Sequence, residues 1–343
     1  MSTLPPVSPD PPSQRLSPVG TAPIETASSV ASRPNSCGRW SALVPWGLML
    51  VAVLVAGGDR VGSSPESGDA LRPASAAPAG SPPRSHGLRL VLWNIHSGVG
   101  LDGTPNLDRI ASELRTVIEG RTDEAGTSAA PSGLPSGRPA CLVGFNEVRS
   151  EWTGGDLAGR LGESLNLPSL FAPAERQWGR DHFGNGIVGD VAVTMWQRIP
   201  LPNKKGKGYR NVVRLRCRVD DQDLSVLVTH IDRNTDRVEQ LRVVFDLFLA
   251  MQSPVVLLGD LNTPRGDAQL DALLSRSDVV DLVGPFLKQP RTDRIDWVIG
   301  RGLSATAGGL VESTASDHPL LWVDVREMDE RSGNRDAALP STD

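Results

Sequence analysis

Six short apolar stretches in this chain are each bordered by an acid, an amide or an imidazole. Leu88–Trp93 runs into Asn94, and Ala140–Phe145 into Asn146-Glu147. Leu224–Val228 runs into Thr229-His230, with Asp232 close behind, and Val255–Leu258 into Gly259-Asp260, with Asn262 beyond. Asp296 lies in Ile295–Ile299, and Asp317-His318 precedes Leu320–Val325. Apolar runs of this length are expected to be buried strands. A strand end is also where a rigid scaffold presents chemistry. One such border is an ordinary turn or cap residue. Six together predict a shared site.

The rest of this region reads as strands in pairs and runs, with helices between them. Leu107–Glu119 has helical spacing, with Leu107, Ile110, Ala111, Leu114 and Val117-Ile118 on one face and Asn106 or Thr104 as cap. Leu157–Leu165, Arg237–Met251 and Gln269–Leu274 are further helices, and Val238, Leu241, Val244, Phe245 and Phe248 form an inner face on the second. Ile187–Trp196 and Asn211–Val219 are strands, the latter alternating apolar residues with Arg214, Arg216 and Arg218. This order predicts two packed sheets flanked by helices, not a strictly alternating nucleotide-binding fold. No glycine-rich phosphate loop follows a strand.

The ends of the 343-residue chain differ in kind. Residues 1–39, rich in Pro, Ser, Thr and Ala, and residues 59–86, rich in Gly, Ser, Pro and Ala, bury too little apolar surface to offset their ordering entropy. The first is read as disordered, the second as a flexible linker, and residues 327–343 as a disordered tail. Between them residues 40–58 carry no charge and are long enough to span a bilayer. Leu54 and Ala56 make a poor signal-peptide cleavage pair, so a retained single-pass anchor is expected, with secretion as the alternative. Arg33 and Arg39 before the span balance Arg60 and Arg72 after it, so charge sets no orientation. The Ser/Pro tether favours an extracytoplasmic domain. That domain is expected over residues 87–326.

The net charge of −5, with basic residues concentrated only at Lys204-Lys205-Gly206-Lys207-Gly208 and at Arg214, Arg216 and Arg218, argues against a large phosphate-neutralising face. The three cysteines, Cys37, Cys141 and Cys217, show no metal spacing. No Gly-x-Ser-x-Gly elbow is present, which disfavours an acyl-enzyme route. Carboxylates and amides with few histidines instead make a hard-oxygen site suited to Mg2+ or Mn2+. Asp296 or Asp317 can orient and charge His318, and Asp260 and Asn262, two residues apart, would point the same way.

Trp93-Asn94, Asn146-Glu147-Val148, Gly184-Asn185-Gly186, Thr229-His230-Ile231-Asp232, Gly259-Asp260-Leu261-Asn262, Arg294-Ile295-Asp296-Trp297 and Ser316-Asp317-His318 resemble, in order, the motifs of the endonuclease/exonuclease/phosphatase superfamily. The resemblance covers roughly residues 88–325. It implies a deoxyribonuclease I-like four-layer α/β sandwich and metal-dependent phosphoester hydrolysis. It implies Glu147 as principal metal ligand, with Asn94 and Asp317 completing the shell. Asp260 and Asn262 would position the water, and His318 with Asp296 would contact the scissile phosphate or act as base. His230 would stabilise phosphate charge or assist the leaving group, and Asn185 and Arg210 are candidate phosphate contacts. Three positions depart from the pattern: Asn146 replaces the usual Gln, Val188-Gly189-Asp190 replaces Leu-Ser-Arg, and Pro319 replaces an Arg. The expected substrate is a nucleic acid, a phospholipid headgroup or a small phosphoester, with no obligate protein partner. The alternatives are a scaffold that keeps the fold with weakened catalysis, and a binding module presented on the stalk.

Overall fold

The computed structural model describes residues 66–68, 71, 85–120, 138–150, 155–175, 182–204, 209–219 and 222–327. In chain order the elements are β1 (Glu66–Gly68), β2 (Ser85–Asn94), α1 (Leu107–Ile118), β3 (Pro139–Arg149), α2 (Leu157–Leu165), β4 (Ser169–Glu175), β5 (Phe183–Gly189) and β6 (Ala192–Pro200). They continue with β7 (Asn211–Val219), β8 (Gln222–His230), α3 (Arg237–Ala250), β9 (Val255–Asp260), α4 (Ala268–Leu274), β10 (Val280–Asp281), β11 (Asp296–Arg301), β12 (Leu303–Val311) and β13 (Leu320–Glu327).

The strands form two mixed sheets, ordered β1-β6-β7-β8-β9-β11-β10 and β12-β13-β2-β3-β5-β4. Each holds one parallel pair, β8/β9 in the first and β2/β3 in the second. Parallel strands need a crossover, and α3 and α1 supply it. Strand alternation then builds the layers. Leu88, Leu90 and Leu92 of β2 pack against Val226, Val228, Val256, Leu258 and Val298 of the other sheet. Val91 and Trp93, on the opposite face of β2, meet Ile110 and Leu114 of α1 and Leu161 of α2. Val255, Leu257 and Ile299 meet Leu241, Val244 and Phe248 of α3. The result is the expected four-layer sandwich, with apolar seams between successive layers. Each fully buried aliphatic side chain contributes about 1.5–3 kcal/mol to holding it.

Several local readings differ. Ile187–Trp196 is not one strand: β5 and β6 lie in different sheets. The crossing is pinned by Asp190, whose carboxylate accepts the Cys141 N–H at 2.8 Å and pairs with Arg138 at 2.7 Å. An apolar run carries no mark of such a sheet change. Val238 is 61% exposed; the buried polar residue on that helix is Gln240, which accepts the Asp232 N–H and donates to the Pro202 carbonyl, both at 2.8 Å. Glu66–Gly68, inside the stretch read as linker, pairs antiparallel with β6. Of the two caps considered for α1, Asn106 is the one used, accepting the Arg109 N–H at 3.0 Å. Residues 1–39, 40–58 and 328–343 lie outside the described residues. Among the described residues no helix is long and apolar enough to cross a membrane.

Candidate active site

Register places the chemistry. Asp260 pairs with His230 across β8/β9 and with Asp296 across β9/β11, so these three residues form one rung over adjacent strands. In the other sheet Asn94 and Asn146 form a second rung. The rungs meet: the Asn94 Nδ2 donates to Asp260 Oδ2 at 3.0 Å, and the Asp260 N–H donates to Asn146 Oδ1 at 2.8 Å. Gly259 keeps β9 close against β8 beside the rung, because a Cβ there would lie 2.3 Å from the carbonyl oxygen of its partner Thr229.

The segment before β13 is tied down from β2. Ser316 Oγ donates to the Asn94 carbonyl at 2.6 Å, and Trp93 Nε1 to the His318 carbonyl at 2.9 Å. His318 Nδ1 thereby sits 2.8 Å from Asp296 Oδ2, and its Nε2 3.8 Å from Asp260 Oδ2. Asp296 Oδ1 is buried without a hydrogen-bond partner. Burial pushes the Asp296 carboxyl up, against the opposing pull of His318. Burial, then the charge of Asp296, pushes Asp260 up to about 7. Burial alone would lower His318, but the Asp296 hydrogen bond and the surrounding carboxylates raise it to about 9. The imidazole is therefore a cation at neutral pH.

Asn262 arrives differently from the strand alternation expected of it. β9 ends at Asp260, and the chain turns so that Asn262 has φ 47°. Its N–H donates to Asp260 Oδ1 at 2.9 Å; its Nδ2 donates to the Ile231 carbonyl at 3.0 Å and lies 3.2 Å from His230 Nε2. His230 is 4% exposed. Burial, then the charges of Arg210 and His318, pushes its pKa well below the ordinary histidine value.

Glu147 occupies a bulge. Phe145 pairs with Gly186 and Val148 with Gly184, leaving an extra residue on β3, and Glu147 has φ 60°. Its side chain is half-buried. Asp317 is about half exposed, 3.7 Å from His96 Nδ1. Arg210 lies within electrostatic reach of Asp232, Glu147 and Asp260.

Asn185 is placed behind the site, not in it. Its Oδ1 accepts from Asn146 Nδ2 at 2.8 Å, and its Nδ2 donates to Asn211 Oδ1 at 2.9 Å. Asn146 also donates to the Thr229 carbonyl at 2.9 Å. Asn146, Asn185 and Asn211 thus form a buried amide seam between the sheets. Sequence reading named Asn146 and Thr229 at strand ends and Asn211 at the start of a strand but gave them no bonding role, and it passed over Phe183; an amide at each of three strand borders was the available signal.

Asp260, Asp296 and His318 each offer a ligand atom within 4.8 Å of the others. Two buried carboxylates in one rung, one with an orphaned oxygen, are a donor set that fits a hard divalent cation. Cys141 and Cys217 are buried, and burial pushes both thiols up to about 12, so neither is a nucleophile.

The fold is similar to that of an endonuclease/exonuclease/phosphatase from Beutenbergia cavernae DSM 12333, with 24% identity and a TM-score of 0.54 over 71% of this chain and 72% of that one. It is similar to an endonuclease/exonuclease/phosphatase family protein from Leptotrichia buccalis C-1013-b, with 15% identity and a TM-score of 0.52 over 70% and 99% of the two chains. The human Nocturnin catalytic domain, solved with a bound sulfate anion, gives 15% identity and 0.50 over 77% and 97%. No curated protein matches the chain. The model of the Endonuclease/Exonuclease/phosphatase family matches residues 91–318, and the chain belongs to that family.

Proposed function

We propose that this domain is a phosphoester hydrolase that uses Mg2+ or Mn2+ and an activated water. The observation that carries the reading is the rung His230–Asp260–Asp296, with His318 pinned at its end and a carboxylate oxygen left unpaired. Glu147, Asn94 and Asp317 are the proposed cation ligands, with the carboxylates of Asp260 and Asp296 adjoining them. A bound divalent cation would polarise a phosphoryl oxygen and offset charge.

The side chains divide the remaining work. Asp260, raised to about 7, is poised to take a proton from water near neutral pH. Asn262, fixed by its turn to Asp260, orients that water. His318, charged by Asp296, contacts a phosphate oxygen as a cation and does not serve as base. His230, kept neutral, contributes a hydrogen bond and no charge. Residues 40–58 are proposed to anchor the chain in a membrane, with the domain on the extracytoplasmic side.

Purified protein is to be assayed with Mg2+, Mn2+ or EDTA against bis(p-nitrophenyl) phosphate, plasmid DNA, sphingomyelin and inositol phosphates. Metal-dependent hydrolysis of at least one supports the reading. Turnover undiminished by EDTA refutes the metal requirement, and no turnover on any refutes the hydrolase.

A further inference from the structure

Strand β7 turns its two faces to different neighbours. Val213, Leu215 and Cys217 enter the seam between the sheets. Arg214 pairs with Leu227 and Arg216 with Ser225, and Leu227 packs beneath α3, so both arginines stand on the helix side of the sheet. The helix does not cover them. A cavity of about 430 Å³ separates the two, walled by Arg214, Arg216 and Ser225 on the strand side and by Leu247, Ala250 and Met251 on the helix side. Arg218, next along the face, is engaged by Asp223 at 3.6 Å. Among the described residues Arg214 and Arg216 form no ion pair, and the Arg214 Nε is buried without a hydrogen-bond partner.

A cation near a helix C-terminus ordinarily serves the last carbonyls. Here Arg301 does so: its Nη1 donates to the Phe248, Leu249 and Met251 carbonyls at 3.3, 2.9 and 3.2 Å. Arg214 and Arg216 are left facing a cleft with one cationic and one apolar wall. A partly buried charge of this kind costs free energy until an anion completes it. The mixed walls suit an amphiphile with an anionic head and an apolar neck.

The N-terminal strand says where such an amphiphile comes from. β1 pairs with β6 so that Ser67, Gln197 and Arg214 share one rung, and Leu71 just beyond it is buried between the sheets. Residues 59–65 alone separate this edge from residues 40–58. A stretch of about seven residues spans at most about 25 Å. A bilayer holding residues 40–58 is therefore within that reach of the cleft's own edge of the sheet. On β8, Ser225 lies about 17 Å from His230, so a surface laid against this flank leaves the catalytic strand ends uncovered.

We propose that the Arg214–Arg216 cleft is a docking face for the phosphate headgroups of anionic phospholipids, laying this flank of the domain on the bilayer. The choice of occupant rests on the anchor reading of residues 40–58; the cleft does not.

The test reconstitutes the full chain in nanodiscs of phosphatidylcholine, with or without phosphatidylglycerol, and follows solvent access to Met195 and Leu247 by hydroxyl-radical footprinting. Met195 pairs with Arg216 and Leu247 lines the cleft. Both should be protected only where phosphatidylglycerol is present. The double variant Arg214→Gln/Arg216→Gln should lose that protection at an unchanged thermal midpoint. Equal access in the two lipids overturns the docking face, and so does protection that survives in the double variant. Protection by inorganic phosphate in phosphatidylcholine discs assigns the cleft to a free anion and overturns the lipid occupant. If the double variant does not fold, Arg216→Gln decides, its side chain being exposed. A chain that does not enter nanodiscs removes the anchor but not the face. Co-sedimentation with the same lipids as vesicles then decides: phosphatidylglycerol should tighten binding, and each arginine lost should weaken it about fivefold. Vesicle binding indifferent to phosphatidylglycerol or to both arginines overturns the proposal.

Discussion

Replacing Asn146 by Asp changes no volume and reverses one end of the amide seam. Asn146 is fully buried. Its Nδ2 serves two acceptors, Asn185 Oδ1 at 2.8 Å and the Thr229 carbonyl at 2.9 Å. In Asn146→Asp an ionised carboxylate sets oxygen against both. Two orphaned buried acceptors cost about 1–3 kcal/mol each, hence about 2–6 kcal/mol together, before the cost of burying the charge. A protonated carboxyl can still donate to one of them, which lowers the loss to about 1–3 kcal/mol. The new group is therefore held protonated in the native state, its pKa raised. The sign follows. Above the unfolded carboxyl pKa of about 3.9 the native state binds a proton that the unfolded chain has released, so stability falls as pH rises. The slope is about 1.4 kcal/mol per pH unit until the native carboxyl ionises. At neutral pH the melting temperature should drop by on the order of 10 °C for a domain of this size. Thermal melts of both proteins across about pH 4.5–7.5, followed by circular dichroism, measure the difference. A gap below about 1 kcal/mol, or one independent of pH, would show that Asn146 does not bridge the sheets as described.

Glu147→Gln should abolish metal-dependent turnover while leaving the melting temperature nearly unchanged, since the amide is isosteric; wild-type rates in the variant would remove Glu147 from the ligand set. Asp296→Asn and His318→Ala should give losses that do not multiply in the double variant, because the 2.8 Å pair acts as one unit; fully multiplicative losses would mean independent roles. The kcat/KM profile should be bell-shaped, rising as Asp260 loses its proton around about 7 and falling as His318 loses its own around about 9. A flat profile between about pH 6 and 10 contradicts those assignments. Full-length protein should stay with membranes through high salt and alkaline carbonate; mature protein beginning just after Ala56 would instead identify a secreted form.

Much of the candidate site's geometry was legible because burial and polar side chains coincide at the same strand borders. Asp260, Asp296 and His230 each follow or open a run whose apolar character fixes it as a strand, and strand ends in a sandwich have few places to go. What a one-dimensional pattern lacks is the third direction. It does not say that Val188 and Val193 belong to different sheets, or that a run as poor in large residues as Leu303–Val311 pairs along its length with β13. Asn185 was read outward, toward phosphate, because an amide in a short motif gives no sign of whether its partners are solvent, ligand or two other amides. Asn262 was grouped with Asp260 by alternation, yet the grouping comes from a left-handed turn. Val238 failed for the complementary reason: helical phase admits several faces, and the buried Gln240 chose among them.

The backbone at Glu147 sets folding against the identity of its side chain. An L side chain in the left-handed region costs about 1–2 kcal/mol, and glutamate has no local bonding habit to offset it, whereas asparagine at position 262 tolerates the same region better. A glycine at 147 would relax the bulge and spare the β3/β5 ladder that imposes it. Replicative drift filtered for foldedness alone would accept that exchange readily. The glutamate is thus a residue that folding alone would not choose at this position.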